Sequence, residues 1–457
     1  MNLPNGPRYS RLLRLYKFIF NPLDYLDENK ARYGDIIAIE RKKQPPFVYV
    51  SDPETIEHIF TNPNLFECVG ISAKGRSLTS YLLGSNSLLL LNGDRHRKAR
   101  KLLIPPFHGD RLSEYSQLIE NITDRVTSNW QFDKPMLVRP IIEDITLQVI
   151  LQGIFGLKEG DRYQELRELI PSLLNTVSSP AAAALIFFSI LRKDWIPFSP
   201  WKRFVKLKER LEAIIYEEIS DRRLELDTSD RTDILSLLIS AKDENGEGMS
   251  DEELHDQLMT LLLVGHETTV SGLCWAFYWV NHLPEVRAKL RAELSTVDSK
   301  DLDLVAKLPY LHAVCQESLR IYPVAIGATV RTLKYPTNIM GYDLPAGTAI
   351  MPSIYLVHQR EDLYPQPKRF IPERFLQRQY SAYEYFPFGG GNHRCVGAAL
   401  AMLTMKLVIA NIVSNFELEL SNKSSVKPVR RGLTIVPSAN LEIVVTGLKE
   451  QKSPVLV

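Results

Sequence analysis

The segment from Leu258 to Val280 is apolar along nearly its whole length and long enough to cross a lipid bilayer as a helix. Its centre, however, reads Val264-Gly265-His266-Glu267-Thr268-Thr269. An ionisable group at mid-bilayer is costly, so the run reads as a helix buried in protein. Ser250 and Glu253 have the spacing of a capping box, and Pro284 marks the far end. About thirty helical residues would span some 45 Å, enough to cross a whole domain through its core. The rest of such a chain must be built around that helix. Its polar centre adds nothing to the stability of a buried helix. On one reading Thr268 and Thr269 bond back to carbonyls one turn earlier while Glu267 finds a basic partner. On the other, the acid and the hydroxyl have a chemical task.

A second segment, Phe388-Gly389-Gly390-Gly391-Asn392-His393-Arg394-Cys395-Val396-Gly397, offers one thiol on a glycine-softened loop just ahead of a helix that reads from about Val396. The free amide N–H groups and the positive dipole end of that helix face the sulfur of Cys395 and favour the thiolate. Gly391 and Gly397 let backbone come close to a flat, bulky partner, and His393 and Arg394 bring positive charge or hydrogen bonds to acidic groups on it. Haem, with its two propionates, fits that description. The other cysteines, Cys68, Cys274 and Cys315, sit in apolar surroundings and read as packing residues.

The 457 residues carry 55 Lys plus Arg against 54 Asp plus Glu, so no global basic field points to nucleic acid. Four scattered cysteines with no C-x-x-C pair argue against a zinc site and a disulfide framework, and for a reducing, cytoplasmic home. No long apolar run follows Met1, so a soluble protein without a membrane anchor is expected. Residues 36–40 and 47–51 read as a short strand pair, 242–248 as a surface turn, and 331–347 as short strands and turns. Most of the chain between about 110 and 319 has helical periodicity. The expected architecture is mainly α with a minor β region: one large helical domain over residues 1–457, with a lead-in over 1–30.

The ten-residue cysteine segment resembles the haem-ligand signature of the cytochrome P-450 superfamily at its aromatic (Phe388), glycine, basic, cysteine (Cys395) and final glycine (Gly397) positions. The Glu267-Thr268 segment resembles that family's oxygen-binding stretch, where acid and threonine adjoin over the haem. The chain departs from the pattern at Val264, where members often have alanine or glycine, and this bears on pocket shape. Glu317-Ser318-Leu319-Arg320 and, downstream, Phe370-Ile371-Pro372-Glu373-Arg374-Phe375 resemble the helix and loop whose acid and two arginines form a buried structural network. His96 and Arg100, four apart on one helix face, and Arg331 resemble the family's haem-propionate contacts, with His96 where many members have tryptophan. The four motifs keep the family's order from about residue 30 to 440.

This resemblance implies a soluble, bacterial-type haem-thiolate monooxygenase with the cytochrome P-450 fold, its haem b lying between the long central helix and the cysteine helix and held by Cys395. It implies catalytic roles for Glu267 and Thr268 in delivering protons, and contacts to the cofactor from His96, Arg100, Arg331, Phe388, His393 and Gly397. Gly265 would leave room for oxygen. O2 is then the co-substrate, and, with no fused reductase domain expected, NAD(P)H reaches the enzyme through a separate ferredoxin or flavodoxin and its reductase. Arg97 and Lys101, one step on from His96 and Arg100, are the expected docking patch for that acidic partner. The pocket segments, marked by Leu82, Val264, Gly265, Val324, Ala325 and Ile326, are predominantly apolar and favour a lipophilic substrate, loosely as in long-chain fatty acid and alkane hydroxylases; terpenoids and polyketides stay open. Residues 179–201 are the expected lid, with Arg192 and Lys193 placed to take a carboxylate. A monomer is expected. The alternatives are a haem-thiolate peroxygenase or isomerase, and a non-catalytic haem-based sensor.

Overall fold

The computed structural model describes residues 2–42, 44–68, 78–109, 111–178, 200–225, 231–421, 426–438 and 441–448. The central helix runs over Asp251–His282, and its start is the expected capping box: Ser250 Oγ accepts the Glu253 N–H at 3.2 Å while Glu253 Oε2 accepts the Ser250 N–H at 3.0 Å. Leu283 ends it, and Pro284 opens the helix Pro284–Leu294, where its missing N–H costs nothing. Leu258, Leu262, Val270, Leu273, Trp275 and Val280 are fully enclosed. The helices Val138–Phe155, Pro200–Leu224, Pro309–Ile321 and Ala398–Asn415 pack around it. The apolar stretch is therefore the core of a helical assembly. Among the described residues, Ala398–Asn415 is the one helix long and apolar enough to cross a membrane, and it packs against the central helix and Arg111–Thr127.

The β structure is divided among several small sheets. A five-stranded sheet has the order Ile36–Arg41, Gln44–Val50, Ala349–Pro352, Arg331–Leu333, Phe66–Cys68. Its first two strands are antiparallel, with Ile36 opposite Val50 and Ile39 opposite Phe47, and Gln44–Val50 runs parallel to Ala349–Pro352. The two strand regions read from the sequence are both present. A further sheet was not foreseen: Pro135–Leu137, Glu442–Leu448 and Phe416–Leu420. Neither was the hairpin of Pro428–Arg431 with Thr434–Pro437. That hairpin is fixed to the central helix by Trp275, whose Nε1–H donates to Ile435 O at 3.1 Å. The same attachment sets Arg431 and Thr434 beside the polar centre of the helix.

Candidate active site

The cysteine loop turns on Gly389 (φ +69°) and Gly391 (φ +62°), left-handed positions that a residue with a side chain adopts only under strain. Within it the Cys395 N–H donates to Phe388 O at 2.9 Å and the Arg394 N–H to Gly391 O at 3.1 Å. The helix begins at Ala398 with Gly397 as its N-cap, slightly later than the sequence suggested, and the Gly397 N–H is directed at the Cys395 sulfur. Burial is the largest influence on this thiol and pushes it up; the Gly397 N–H, Arg100 and Arg394 pull it back down. Cys395 nevertheless has exposed surface, so protein encloses it on all but an open side. Cys68, Cys274 and Cys315 are buried, with burial pushing their thiols up to about 11, 12 and 12.

The glycines divide the work differently from the sequence reading. A Cβ on Gly391 would lie 2.7 Å from Phe60 O, and one on Gly390 2.3 Å from the Phe60 ring, so these two admit the helix Pro53–Thr61 rather than a cofactor. At Gly397 a Cβ would meet nothing within 4 Å. Open space therefore adjoins the backbone next to the thiol.

The central helix touches the cysteine helix closely at Gly272, where a Cβ would come 3.2 Å from Met405 Sδ. On the amino-terminal side of that contact both helices loosen. Leu261, Val264, Gly265, Thr268 and Thr269 are half-buried in an otherwise enclosed helix, and residues 396–402 are half-buried on the other. The first set recurs at three- and four-residue intervals, so it forms one face. Thr268 Oγ1 donates to Val264 O at 2.8 Å and Thr269 Oγ1 to Gly265 O at 2.8 Å.

Glu267 points elsewhere. Its two carboxylate oxygens each accept from Arg139 Nη2 at 2.8 Å, Arg431 Nε lies 3.4 Å away, and Thr434 Oγ1, which donates to Arg431 O at 2.9 Å, lies 3.5 Å away. Arg139 also pairs with Glu143 at 2.7 Å. The acid adjoins Thr268 in sequence, but its charge is engaged on a different side of the helix, away from the half-buried face. Arg139 and Arg431 were missed in the sequence. The signal at Arg139 was a lone cation in the first turn of an apolar helix, where the dipole disfavours it, with Glu143 four residues on.

Around the cysteine loop the basic residues converge. His96 is buried and stacks on His393 with ring centroids 3.8 Å apart, and its Nε2 has no partner. Burial first, then neighbouring positive groups, push His96 down to about 4 and His393 down to about 3. Arg100 Nη1 donates to Arg394 O at 2.6 Å. Arg331 is buried and donates to Cys68 Sγ at 2.9 Å and Thr329 O at 3.0 Å. A buried, unpartnered ring nitrogen among cations lacks an acidic acceptor, which a carboxylate-bearing group would supply. With one thiol and open space beside Gly397, these residues fit haem.

Behind the loop, Glu317 and Arg320 have no exposed side-chain surface. Glu317 Oε2 accepts from Arg320 Nε at 2.6 Å, and Oε1 accepts from Arg320 Nη2 (2.8 Å), the Ile371 N–H (2.9 Å) and Arg374 Nε (3.2 Å). Arg320 also donates to His358 O at 2.7 Å and Pro367 O at 2.9 Å. Burial holds His358 down at about 3, so its neutral Nε2 accepts the Phe386 N–H at 3.2 Å. The ion cluster is thereby linked to the strand of chain that leads into the cysteine loop.

The remaining candidates are dispersed. Leu82 and Ala325 are half-buried, and Val324 belongs to the main core. Ile326 is turned into a cluster with Leu26, Ile37 and Tyr355, which removes it from the pocket. Arg97 and Lys101 do face solvent, but neither is a free charge: Arg97 pairs with Asp94 at 2.5 Å and Lys101 with Glu244, while Lys98 pairs with Asp243 at 2.8 Å and Glu247 at 3.1 Å. Residues 179–199 of the expected lid, Arg192 and Lys193 included, lie outside the described residues. Its end, Trp201, is buried against Tyr81 and Phe204.

Comparison with known proteins agrees along the chain. Residues 4–444 match the family model described as Cytochrome P450. The chain is 36% identical over 451 residues to cytochrome P450 135B1 of Mycobacterium tuberculosis, covering 98% of this chain and 93% of that protein. It is 32% identical over 447 residues to cytochrome P450 138 of Mycobacterium bovis, covering 96% and 95%. The structure titled retinoic acid bound cyanobacterial CYP120A1 superposes with a TM-score of 0.83 at 24% identity, covering 98% of this chain and all of that one; this likeness carries the fold alone.

The buried ion cluster orders the cost of its own dismantling. Arg320→Ala strands the Glu317 charge, an effect of about 3–5 kcal/mol, whereas Arg374→Ala leaves the closer pair intact and costs less. Urea-unfolding midpoints and soluble yield should rank wild type, Arg374→Ala, Arg320→Ala in descending order; equal losses would contradict the hierarchy.

Proposed function

This chain belongs to the cytochrome P450 family, and from that premise we propose that it oxidises a lipophilic substrate, with long-chain fatty acids as the favoured class, by inserting one oxygen atom of O2 into a C–H bond or across a double bond. Members of the family are haem-thiolate monooxygenases supplied with electrons from NAD(P)H through partner proteins, and haem held by a cysteine thiolate is the cofactor. Bound haem supplies the activation of dioxygen. The proposed catalytic unit is the chain as one domain, residues 1–457, working as a cytoplasmic monomer.

The residues divide into holding, positioning and proton management. Cys395 is the thiolate ligand; burial pushes its thiol up, and the Gly397 N–H, Arg100 and Arg394 act against that, toward the charged form. His96, His393, Arg100 and Arg331 hold the cofactor's carboxylates, and Phe388 and Gly397 border the cofactor beside the thiol. Thr268 gives its own proton to Val264 O, so its oxygen lone pairs are what it offers to the opening, where it orients the proton of a water. Glu267 is its neighbour in sequence but is held by Arg139. A proton carried by Glu267 reaches the Thr268 side only when that ion pair opens. The half-buried face of Val264, Gly265, Thr268 and Thr269, set in apolar surroundings, is the observation that carries this reading.

A ferredoxin or flavodoxin with its reductase is the proposed electron source, docking over Arg97 and Lys101. An acidic partner must first displace the acids that occupy this face. Exposed pairs of that kind are screened by solvent and contribute little, so the exchange is inexpensive. The fatty-acid reading rests on the apolar pocket segments and on Arg192-Lys193 as a carboxylate anchor in the lid segment.

Two measurements test these roles. In Thr268→Ala, NAD(P)H consumption should continue while product falls and hydrogen peroxide rises; an unchanged ratio of product to NAD(P)H counts against Thr268 as the proton-positioning residue. For the substrate, a long-chain fatty acid should bind wild type more tightly than its methyl ester, and the double variant Arg192→Ala, Lys193→Ala should erase that preference. If the variant weakens both ligands equally, or neither, the carboxylate anchor is wrong.

A further inference from the structure

The helix Arg11–Phe20 has no fully buried residue. It is attached along one side only: Lys17 Nζ pairs with Glu28 at 2.6 Å, Phe18 packs edge-on to Tyr25, and Arg430 lies 4.3 Å over the Phe18 ring. Ser10 caps it by accepting the Leu13 N–H at 3.3 Å. The opposite side carries Leu12, Leu13, Tyr16 and Phe20, with exposures of 71, 43, 57 and 48%. At 100° per residue these four fall within an arc of about 100°, and the Tyr16 and Phe20 rings contact each other with centroids 5.0 Å apart. Four large apolar side chains on one outward face, two of them aromatic, are not the scatter of single exposed residues that needs no explanation.

Charge decides what covers this face. Residues 2–23 contain Arg8, Arg11, Arg14 and Lys17 and no acid at all; the first is Asp24. Arg8, just before the helix, and Arg11, its first residue, are exposed and put cations at the amino-terminal end of the apolar face, where long cationic side chains reach headgroups while their neighbours enter the acyl region. An outward stripe of Leu, Tyr and Phe bordered by arginine is the composition of a helix that lies in a membrane interface, where apolar burial and attraction to anionic lipid add. A second copy of this chain would set two +4 segments against each other.

We propose that Arg11–Phe20 is a peripheral membrane-binding helix that seats the enzyme on anionic phospholipid. No spanning segment is needed, since the helix is held to the folded body by its inner side. The inference is independent of the substrate class: binding to lipid is read without turnover and stands even if the substrate is not a fatty acid.

The test is sedimentation of the full-length holoenzyme with vesicles of phosphatidylcholine alone or mixed with phosphatidylglycerol. Wild type should sediment with the mixed vesicles and far less with phosphatidylcholine. Leu12→Ser, Tyr16→Ser, Phe20→Ser together should reduce partitioning by about tenfold or more with little change in the thermal midpoint, because none of these side chains is buried in the core. Arg8→Gln, Arg11→Gln should reduce the preference for phosphatidylglycerol. As an independent readout, Phe20→Trp should shift its emission to the blue when mixed vesicles are added. Equal sedimentation of wild type and triple variant, no emission shift, or self-association of wild type that the triple variant abolishes in the absence of lipid would each overturn the proposal.

Discussion

Glu317 is a carboxylate with no exposed side-chain surface, and the course of the chain from His358 to Cys395 depends on how it is compensated. Removing an ion from water costs several kcal/mol, recovered only when its partners are all in place. Arg320 supplies two donors, Arg374 a third and the Ile371 N–H a fourth. Arg320 has donors left over, and these gather the carbonyl of His358, at the end of the helix Ile354–His358, and that of Pro367 in the irregular stretch beyond it. The His358 ring then receives the Phe386 N–H, two residues before Phe388, whose carbonyl receives the Cys395 N–H. A buried charge thus sets the position of a sulfur through a series of hydrogen bonds.

The central helix solves a related problem by dividing its two sides. Glu267 is stabilised by Arg139 and Arg431 away from the opening, while Thr268 and Thr269 satisfy their protons on the helix's own carbonyls and keep their oxygens toward it. The acid and the hydroxyl stand next to each other in sequence but 100° apart around the helix. Under the proposed function, any cooperation between them depends on whether the Arg139 pair opens, and no pattern in the sequence carries that information.

What was legible follows from the range of the interactions. The capping box at Ser250, the stop at Pro284 and the Glu317–Arg320 spacing are local, and each is found in the structure at those residues. The carboxy-terminal strands were also locally legible: Phe416, Leu418 and Leu420 alternate with Glu417 and Glu419, a half-buried strand signature that was passed over. Long-range facts were not. That Gly391 is required by Phe60, that Ile326 turns into the amino-terminal cluster, and that Lys101 meets Glu244 depend on residues far away along the chain. The exposed face of Arg11–Phe20 lies between: its apolar and basic periodicity is visible in the sequence, but which side the body covers is set by Tyr25, Glu28 and Arg430.

The assignment of Cys395 as the iron ligand leaves His96 and His393 nearby, stacked on each other and held in their neutral forms by burial. The most direct measurement is the absorption spectrum of the reduced, carbon monoxide-bound protein, wild type against Cys395→His. Thiolate ligation predicts a strongly red-shifted band in wild type that is lost in the variant, because an imidazole ligand does not produce it. A wild-type spectrum without that band, or a variant that keeps it, would contradict the assignment of Cys395.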